Sequence, residues 1–336
     1  MKNLFVLWLA GLLCLITPFP VEAAAQTVTA VGTYTIGDGP EENISVAKER
    51  AKAEALRNAA EQVAVLVQSL SVVQNGVLTK DEIEVISSGV MRLKEAPKFK
   101  IVPVSDEVIR YECQVTAEVD TGSINAKLWH DKQALQEAAR QNRELTAEIA
   151  RLNREMGELK EKYAAASTSE RERISEEVKR NDEDFLAVRL NQQGAALCRE
   201  GKYREAAQVF TEALAKSPRY AYAYHNRGIA YGKLKDYRLA VKDFSEAINL
   251  DDAYATAYGG RGFAYYGLKD YVNAARDFGR AISLDPSYAE AYYGRGNVYM
   301  SMGHYEEALR DYEKALSLNP NLTAAQKNRE TILASR

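Results

Sequence analysis

The residue types that could do chemistry in this chain are few, and their spacing sets what they can do. His130, His225 and His304 stand far apart, with no two at metal-ligand spacing. Cys113 and Cys198 fall in segments of different character and read as buried free thiols, while Cys14 lies in an apolar leader. No Ser, Cys or carboxylate sits beside an activating base in a nucleophile motif. "GDGPEE" (residues 37–42) lacks the lysine and the helix-opening spacing of a phosphate loop and reads as a turn. The expectation is therefore no catalytic residue, no metal and no cofactor. One charged pattern does recur. Arg227, Arg261 and Arg295 are each followed sixteen residues later by Asp243, Asp277 and Asp311, which suits a guanidinium meeting a carboxylate on a neighbouring helix. Each Arg also lies between two tyrosines, Tyr224 and Tyr231, Tyr258 and Tyr265, Tyr292 and Tyr299.

The elements that must position these pairs repeat every 34 residues. Gly194, Gly228, Gly262 and Gly296 keep that period, and so do Ala206, Ala240, Ala274 and Ala308, the aromatic row Phe210, Phe244, Phe278 and Tyr312, and Ala213, Ala247, Ala281 and Ala315. Pro218, Pro286 and Pro320 close three copies, with Asp252 in the fourth place. A helix-turn-helix period of this length and residue pattern resembles the tetratricopeptide repeat (TPR) family. The resemblance covers residues 187–320 as four repeats (187–220, 221–254, 255–288 and 289–322), followed by a polar-faced capping helix in 322–336. It implies an α-solenoid whose tyrosine rows, glycines and alanines are core, and whose ligand lies in a concave groove lined by the first helix of each repeat.

Carried over by register, the groove positions are Asn191, Ala195, His225, Ile229, Gly259, Phe263, Tyr266, Tyr293, Asn297 and Met300, and Asn226 is a further candidate because it does not repeat. The Lys and Asn set with which some family members clamp a terminal carboxylate is not present together. Aromatic, Met and Asn side chains suit an extended or helical peptide held by apolar contact and a few amide hydrogen bonds. Repeat one has Gln193 in place of the recurring Arg, as befits a terminal copy.

Between residues 126 and 185 Gly and Pro nearly vanish. Leu128, Leu135, Asn142, Ile149, Met156 and Tyr163 at a, with Ala138, Leu145, Leu152, Leu159 and Ala166 at d, form a heptad seam. The expectation is a coiled coil that oligomerises the chain through Leu135, Asn142, Leu145, Ile149, Leu152, Met156 and Leu159. Asn142 favours a parallel dimer, with a trimer as the alternative. "AASTSE" interrupts the seam, and Ile174, Val178 and Phe185 resume it in shifted phase, as a stutter would.

Residues 26–125 read as a small α+β domain. "TVTAVGTYTI" is a strand, and residues 44–70 carry an alanine stripe on a helix. Thr79 and Glu82 have capping-box spacing, and "KFKIVPV" and "VIRYECQVTAEV" are strands, the second alternating strictly. With "AKERAKAEALRNAAEQV", "LTKDEI" and "SSGVMRL", this order resembles the N-terminal domain of flagellar assembly protein T and related secreted lipoproteins. The resemblance implies envelope or assembly work and no reaction.

Lys2, the apolar run Leu4–Ile16, Pro18, Pro20 and "VEAAAQ" read as a cleaved secretory signal in residues 1–25. A periplasmic or secreted bacterial location is expected. Leu13 is bulky where a lipobox has a small residue, so Cys14 is not read as lipidated. With a net charge of −3 and no basic segment, nucleic acid is set aside as a partner. The fold class expected is mainly α: a TPR solenoid preceded by a coiled coil and a small α+β domain. The function expected is a non-enzymatic scaffold that binds a protein or peptide, oligomerises, and serves flagellar or cell-envelope assembly. The alternatives are a cell-division or envelope coordination factor and, behind it, a cell-wall or peptide hydrolase targeted by its repeats.

Overall fold

The computed structural model describes residues 26–37, 43–73, 78–105, 108–120 and 132–334. The signal-sequence reading and Leu128 lie outside them. Strands β1 (Gln26–Ile36), β2 (Met91–Leu93), β3 (Lys98–Pro103) and β4 (Ile109–Val119) form one antiparallel sheet. β4 is the hub, pairing along its length with β1 (Ala30↔Val115, Gly32↔Cys113) and on its other side with β2 and β3. Its alternation behaves as the sequence requires, with Tyr111, Cys113, Val115, Ala117 and Val119 buried.

Helix α1 (Ile44–Val73) covers that face through Ala47, Ala51, Ala55 and Ala59. The stripe is alanine because of Gly32. A Cβ there would collide with the backbone of α1 at Ala51 and Ala55, so strand and helix meet with almost no side chain between them. Ile44, which the helical period places on the same face as these alanines, is exposed at the helix start, and Val67 is buried farther along. α2 (Lys80–Val90) opens with the expected capping box, Glu82 N–H donating to Thr79 Oγ1 at 3.2 Å and Thr79 N–H to Glu82 Oε2 at 2.8 Å.

The heptad region departs from a single continuous rod. α3 (Lys132–Ala165) ends where the seam is interrupted, and α4 (Thr168–Arg199) runs back beside it. "STSE" is a helix start: Ser167 donates its N–H to Glu170 Oε2 at 2.9 Å and its hydroxyl to the same oxygen at 2.6 Å. The shifted phase of Ile174, Val178 and Phe185 therefore marks a chain reversal. Leu152 packs with Phe185, Val188 and Val46, and Leu145 and Ile149 join that cluster. Met156 and Leu159 pack with Val178 and Ile174. The apolar seam is satisfied within one chain, antiparallel. Asn142 is half-buried, and the side chain of Leu135 lies outside those described.

α1 has a second working face that the stripe did not reveal. Arg50 reaches the hairpin, donating to Asn153 Oδ1, to Asn181 Oδ1 at 2.7 Å and to Asp182 Oδ1 at 3.2 Å, with its guanidinium 4.2 Å from the Phe185 ring centroid. Asn181 Nδ2 also donates to the Leu152 carbonyl at 3.0 Å. Three helices are thereby tied at one buried cation.

α4 continues without a break into the repeats, as the first helix of the first copy. Its partner is α5 (Tyr203–Lys216). The pairs α6 (Ala221–Lys233) and α7 (Tyr237–Leu250), α8 (Ala255–Gly267) and α9 (Tyr271–Leu284), and α10 (Ala289–Ser301) and α11 (Tyr305–Leu318) follow. α12 (Thr323–Ala334) caps the stack, burying Ala325 and Ile332. Each hairpin turns through a left-handed residue: Gly201, Lys235, Lys269 and Gly303, with φ of 77°, 65°, 61° and 79°.

Candidate partner-binding groove

The recurring residues explain themselves first. Arg227 Nε and Nη2 donate to Asp243 at 2.7 and 2.8 Å, Arg261 to Asp277 at 2.6 and 3.0 Å, and Arg295 to Asp311 at 2.8 and 2.8 Å. These are two-pronged charge-assisted bonds within each hairpin. The aspartates are buried, and their hydrogen bonds raise the Arg227 and Arg295 pKa against the opposing pull of burial.

A second contact was not legible in the period. Arg227 Nη1 donates to Thr211 Oγ1 at 2.9 Å and Arg261 Nη1 to Ser245 Oγ at 3.0 Å, each hydroxyl lying on the preceding repeat. The same register holds Gly279 and then Glu313, and Glu313 Oε1 lies 3.8 Å from Arg329 Nε on α12. The flanking tyrosines pack against the hairpin cores, as expected, and being half-buried they also clamp the arginine. Tyr224 and Tyr231 stand 5.6 and 6.0 Å from Arg227, and Tyr292 and Tyr299 stand 5.8 and 5.9 Å from Arg295.

The core between copies is Phe against Gly. A Cβ on Gly228 would come within 3.0 Å of Phe244, and one on Gly260 within 2.5 Å of the same ring. Phe278 sits likewise between Gly262 and Gly294.

The groove candidates divide once placed. Asn191 is 1% exposed, accepts from Asn226 Nδ2 at 2.9 Å and donates to Tyr220 Oη at 3.4 Å. His225 is buried between Phe244 and Tyr254, with ring centroids 5.6 and 4.8 Å away. Asn297 accepts from Tyr312 Oη and from Asn328 Nδ2, both at 2.8 Å, so it fastens the cap. Met300 Sδ lies 3.4 Å from Tyr312 Oη. Asn191 and His225 act inside the stack, while Asn297 and Met300 are half-buried and engaged with Tyr312 and the cap. Ile229, Phe263, Tyr266 and Tyr293 are half-buried: Ile229 packs against the core of the second repeat, Phe263 meets Phe278 edge-on at 4.8 Å, Tyr266 Oη lies 3.1 Å from Ser301 Oγ, and Tyr293 lies 6.2 Å from Tyr312. Ala195 is half-buried, and Gly259 is buried against Tyr288.

A family model described as "Tetratricopeptide repeat" matches residues 221–254 and 289–322, and one described as "TPR repeat" matches 194–235 and 264–303. The chain carries tetratricopeptide repeats. Among solved structures it is similar to a crystal structure of MamA, at 27% identity over 42% of this chain and 83% of that one, with a TM-score of 0.39. It is also similar to the second TPR domain of human RPAP3 in complex with the HSP70 peptide SGPTIEEVD, at 30% identity over 34% of this chain and 97% of that one, with a TM-score of 0.34. No curated protein matches the chain.

The first TPR does not present an open concave face. Leu145 and Ile149 of α3 pack with Val188 and Tyr220, and Ala139 is buried. Farther along, Glu144 lies beside the Tyr222 hydroxyl, and Arg140 and Glu144 also lie near Tyr254. Burial first, and then Glu144, push the Tyr222 pKa up to about 12. The tyrosines Tyr220, Tyr222 and Tyr254 were missed by register. Tyr220 and Tyr254 form a 34-residue row with Tyr288 just ahead of each helix start, and Tyr222 is a non-repeating residue one turn before His225.

Proposed function

We propose that the chain is a non-enzymatic scaffold that holds a protein or peptide along its concave face from Tyr222 toward the cap, leaving the first repeat to its own helix α3. The observation that carries this reading is the contrast within one surface. The residues repeated from copy to copy are taken up by packing and by the arginine braces, while Phe263, Tyr266 and Tyr293, which differ from copy to copy, are half-buried and leave aromatic surface to solvent. Such a surface suits apolar contact with an extended or helical segment.

The apolar leader with its small-residue stretch supports secretion, and the N-terminal resemblance supports flagellar or other envelope assembly as the setting. Self-association through the heptad seam would require the α3–α4 hairpin to open, because those side chains already face α4.

A photo-reactive residue placed at Tyr266 or Tyr222 in intact cells, compared with one at Arg276 on the outer helix row, tests the groove. The expected result is one shared cross-linked species from the two groove positions and none from Arg276. Equal products from all three, or products from Arg276 alone, would overturn the reading.

A further inference from the structure

The N-terminal end of the TPR stack differs from every internal interface. At the register where Ala223, Ala257 and Ala291 are fully buried against the preceding copy, the first repeat has Arg189. Where the second to fourth repeats have Asn226-Arg227, Gly260-Arg261 and Gly294-Arg295, it has Gln192-Gln193. A terminal repeat commonly turns polar because its outer face meets water. Here α1 partly covers this face, and the two border an open cleft of about 480 Å³, with Glu49 and Lys52 on one wall, Arg189, Gln192 and Gln193 on the other, and Lys216 at its edge.

Arg189 is half-buried beside that cleft, with its Nε out of contact with water. Nη1 donates to Gln192 Oε1 at 2.6 Å, and Nε is buried with no hydrogen-bond partner. Arg50, Arg227, Arg261 and Arg295 each face an aspartate within 3.2 Å. Arg189 has no carboxylate at ion-pair distance among the described residues. Glu49 acts on it only through space, and the Glu49 carboxylate is engaged by Lys52 Nζ at 3.0 Å. A guanidinium with a buried Nε that meets no acceptor, and no carboxylate beside it, keeps donors free for a ligand in the cleft. Three cations against one carboxylate leave the cleft positive.

We propose that this cleft binds a phosphate-bearing ligand, with Arg189 as the central donor and Lys52 and Lys216 at the rim. Arg189, two lysines and the Gln192 and Gln193 amides offer more donors than the two oxygens of a carboxylate accept, and a phosphate supplies three or four. Binding there bridges α1 and the first repeat, so it strengthens the junction between the sheet domain and the solenoid.

Thermal unfolding and calorimetric titration of the whole chain with inorganic phosphate, against chloride and acetate at matched ionic strength, test this. Phosphate is expected to raise the wild-type midpoint with concentration. R189Q is expected to melt close to the wild type in chloride, because no ion pair is lost, and to lose the phosphate response, with affinity down roughly tenfold or more. A lower R189Q midpoint in chloride, with phosphate raising both proteins alike, would overturn the site, and so would the absence of any phosphate response in the wild type. Acetate acting as strongly as phosphate would overturn the choice of ligand. Should R189Q fail to fold, K216Q on the exposed rim must weaken phosphate binding while leaving the chloride midpoint unchanged. Undiminished binding in K216Q then counts against the proposal.

Discussion

Two arginine–aspartate contacts in this molecule look alike in chemistry and differ in what they hold. Arg50 and Asp182 are 2% and 8% exposed, 132 residues apart, and stand once, at the crossing of α1 with the α3–α4 hairpin. Arg261 and Asp277 are 19% and 6% exposed, sixteen residues apart, and have equivalents in the neighbouring copies. The first is a non-local hub with further amide partners. The second is a local brace with neighbours to share its load. A buried pair recovers its desolvation cost only through complete geometry, so the hub should be intolerant of losing one member. A brace lost from one hairpin leaves the rest of the solenoid standing, since stability there is close to a sum over copies and interfaces.

Substitutions can break this comparison. Asp182→Ala strands the Arg50 charge, and the expected loss is about 3–5 kcal/mol by denaturant unfolding, with α1 and the sheet released before the repeats. A single coincident transition at wild-type stability would sink the hub. Asp277→Asn removes one charged acceptor from a brace, and a loss of about 2 kcal/mol is expected, without dissociation of the sheet domain. Ser245→Ala deletes only the cross-repeat bond to Arg261, for which about 0.5–1.5 kcal/mol is expected. Because Gly279 already lacks that hydroxyl, Gly279→Ala should not reproduce the loss. The smallest effect is tied to pH. Tyr222 has its folded pKa raised to about 12 against an ordinary value near 10, so its contribution is present below pH 10 and is lost as pH rises from there through 12. Tyr222→Phe should flatten that alkaline limb. An unchanged slope would show that Glu144 and Tyr222 are not coupled.

What was legible in the sequence follows the same division between local and non-local. The 34-residue period located the repeats and the Arg-to-Asp braces, because both depend on neighbours at fixed separation. The alternation of β4 and the Thr79–Glu82 capping box were legible for the same reason. Arg50 was not, since its partners are Asn153, Asn181 and Asp182 and no period links them. The heptad seam was seen correctly as an apolar stripe in need of a partner helix, but periodicity does not say whether that partner is another chain or the same one. "STSE" held the answer, as a helix start in place of a stutter. In the groove, register placed side chains on the right helices but not in the right state. Asn191, His225, Asn297 and Met300 are drawn into contacts with aromatic residues and amides whose positions depend on the stacking itself.

The gap at Gly279 has a mechanical meaning. Across the interfaces between the first and second repeats and between the second and third, an arginine reaches a hydroxyl on the neighbour. Across the interface between the third and fourth, Arg295 bonds its own Asp311 and no hydroxyl of the neighbour, and the polar contact that crosses is the exposed, uncharged one of Tyr266 Oη with Ser301 Oγ at 3.1 Å. A joint fastened by a neutral contact in place of a charge-assisted one is expected to open first. Tension or a bound segment pulling on the cap would concentrate its strain between α9 and α10, making the last hairpin a compliant end on an otherwise stiff spring.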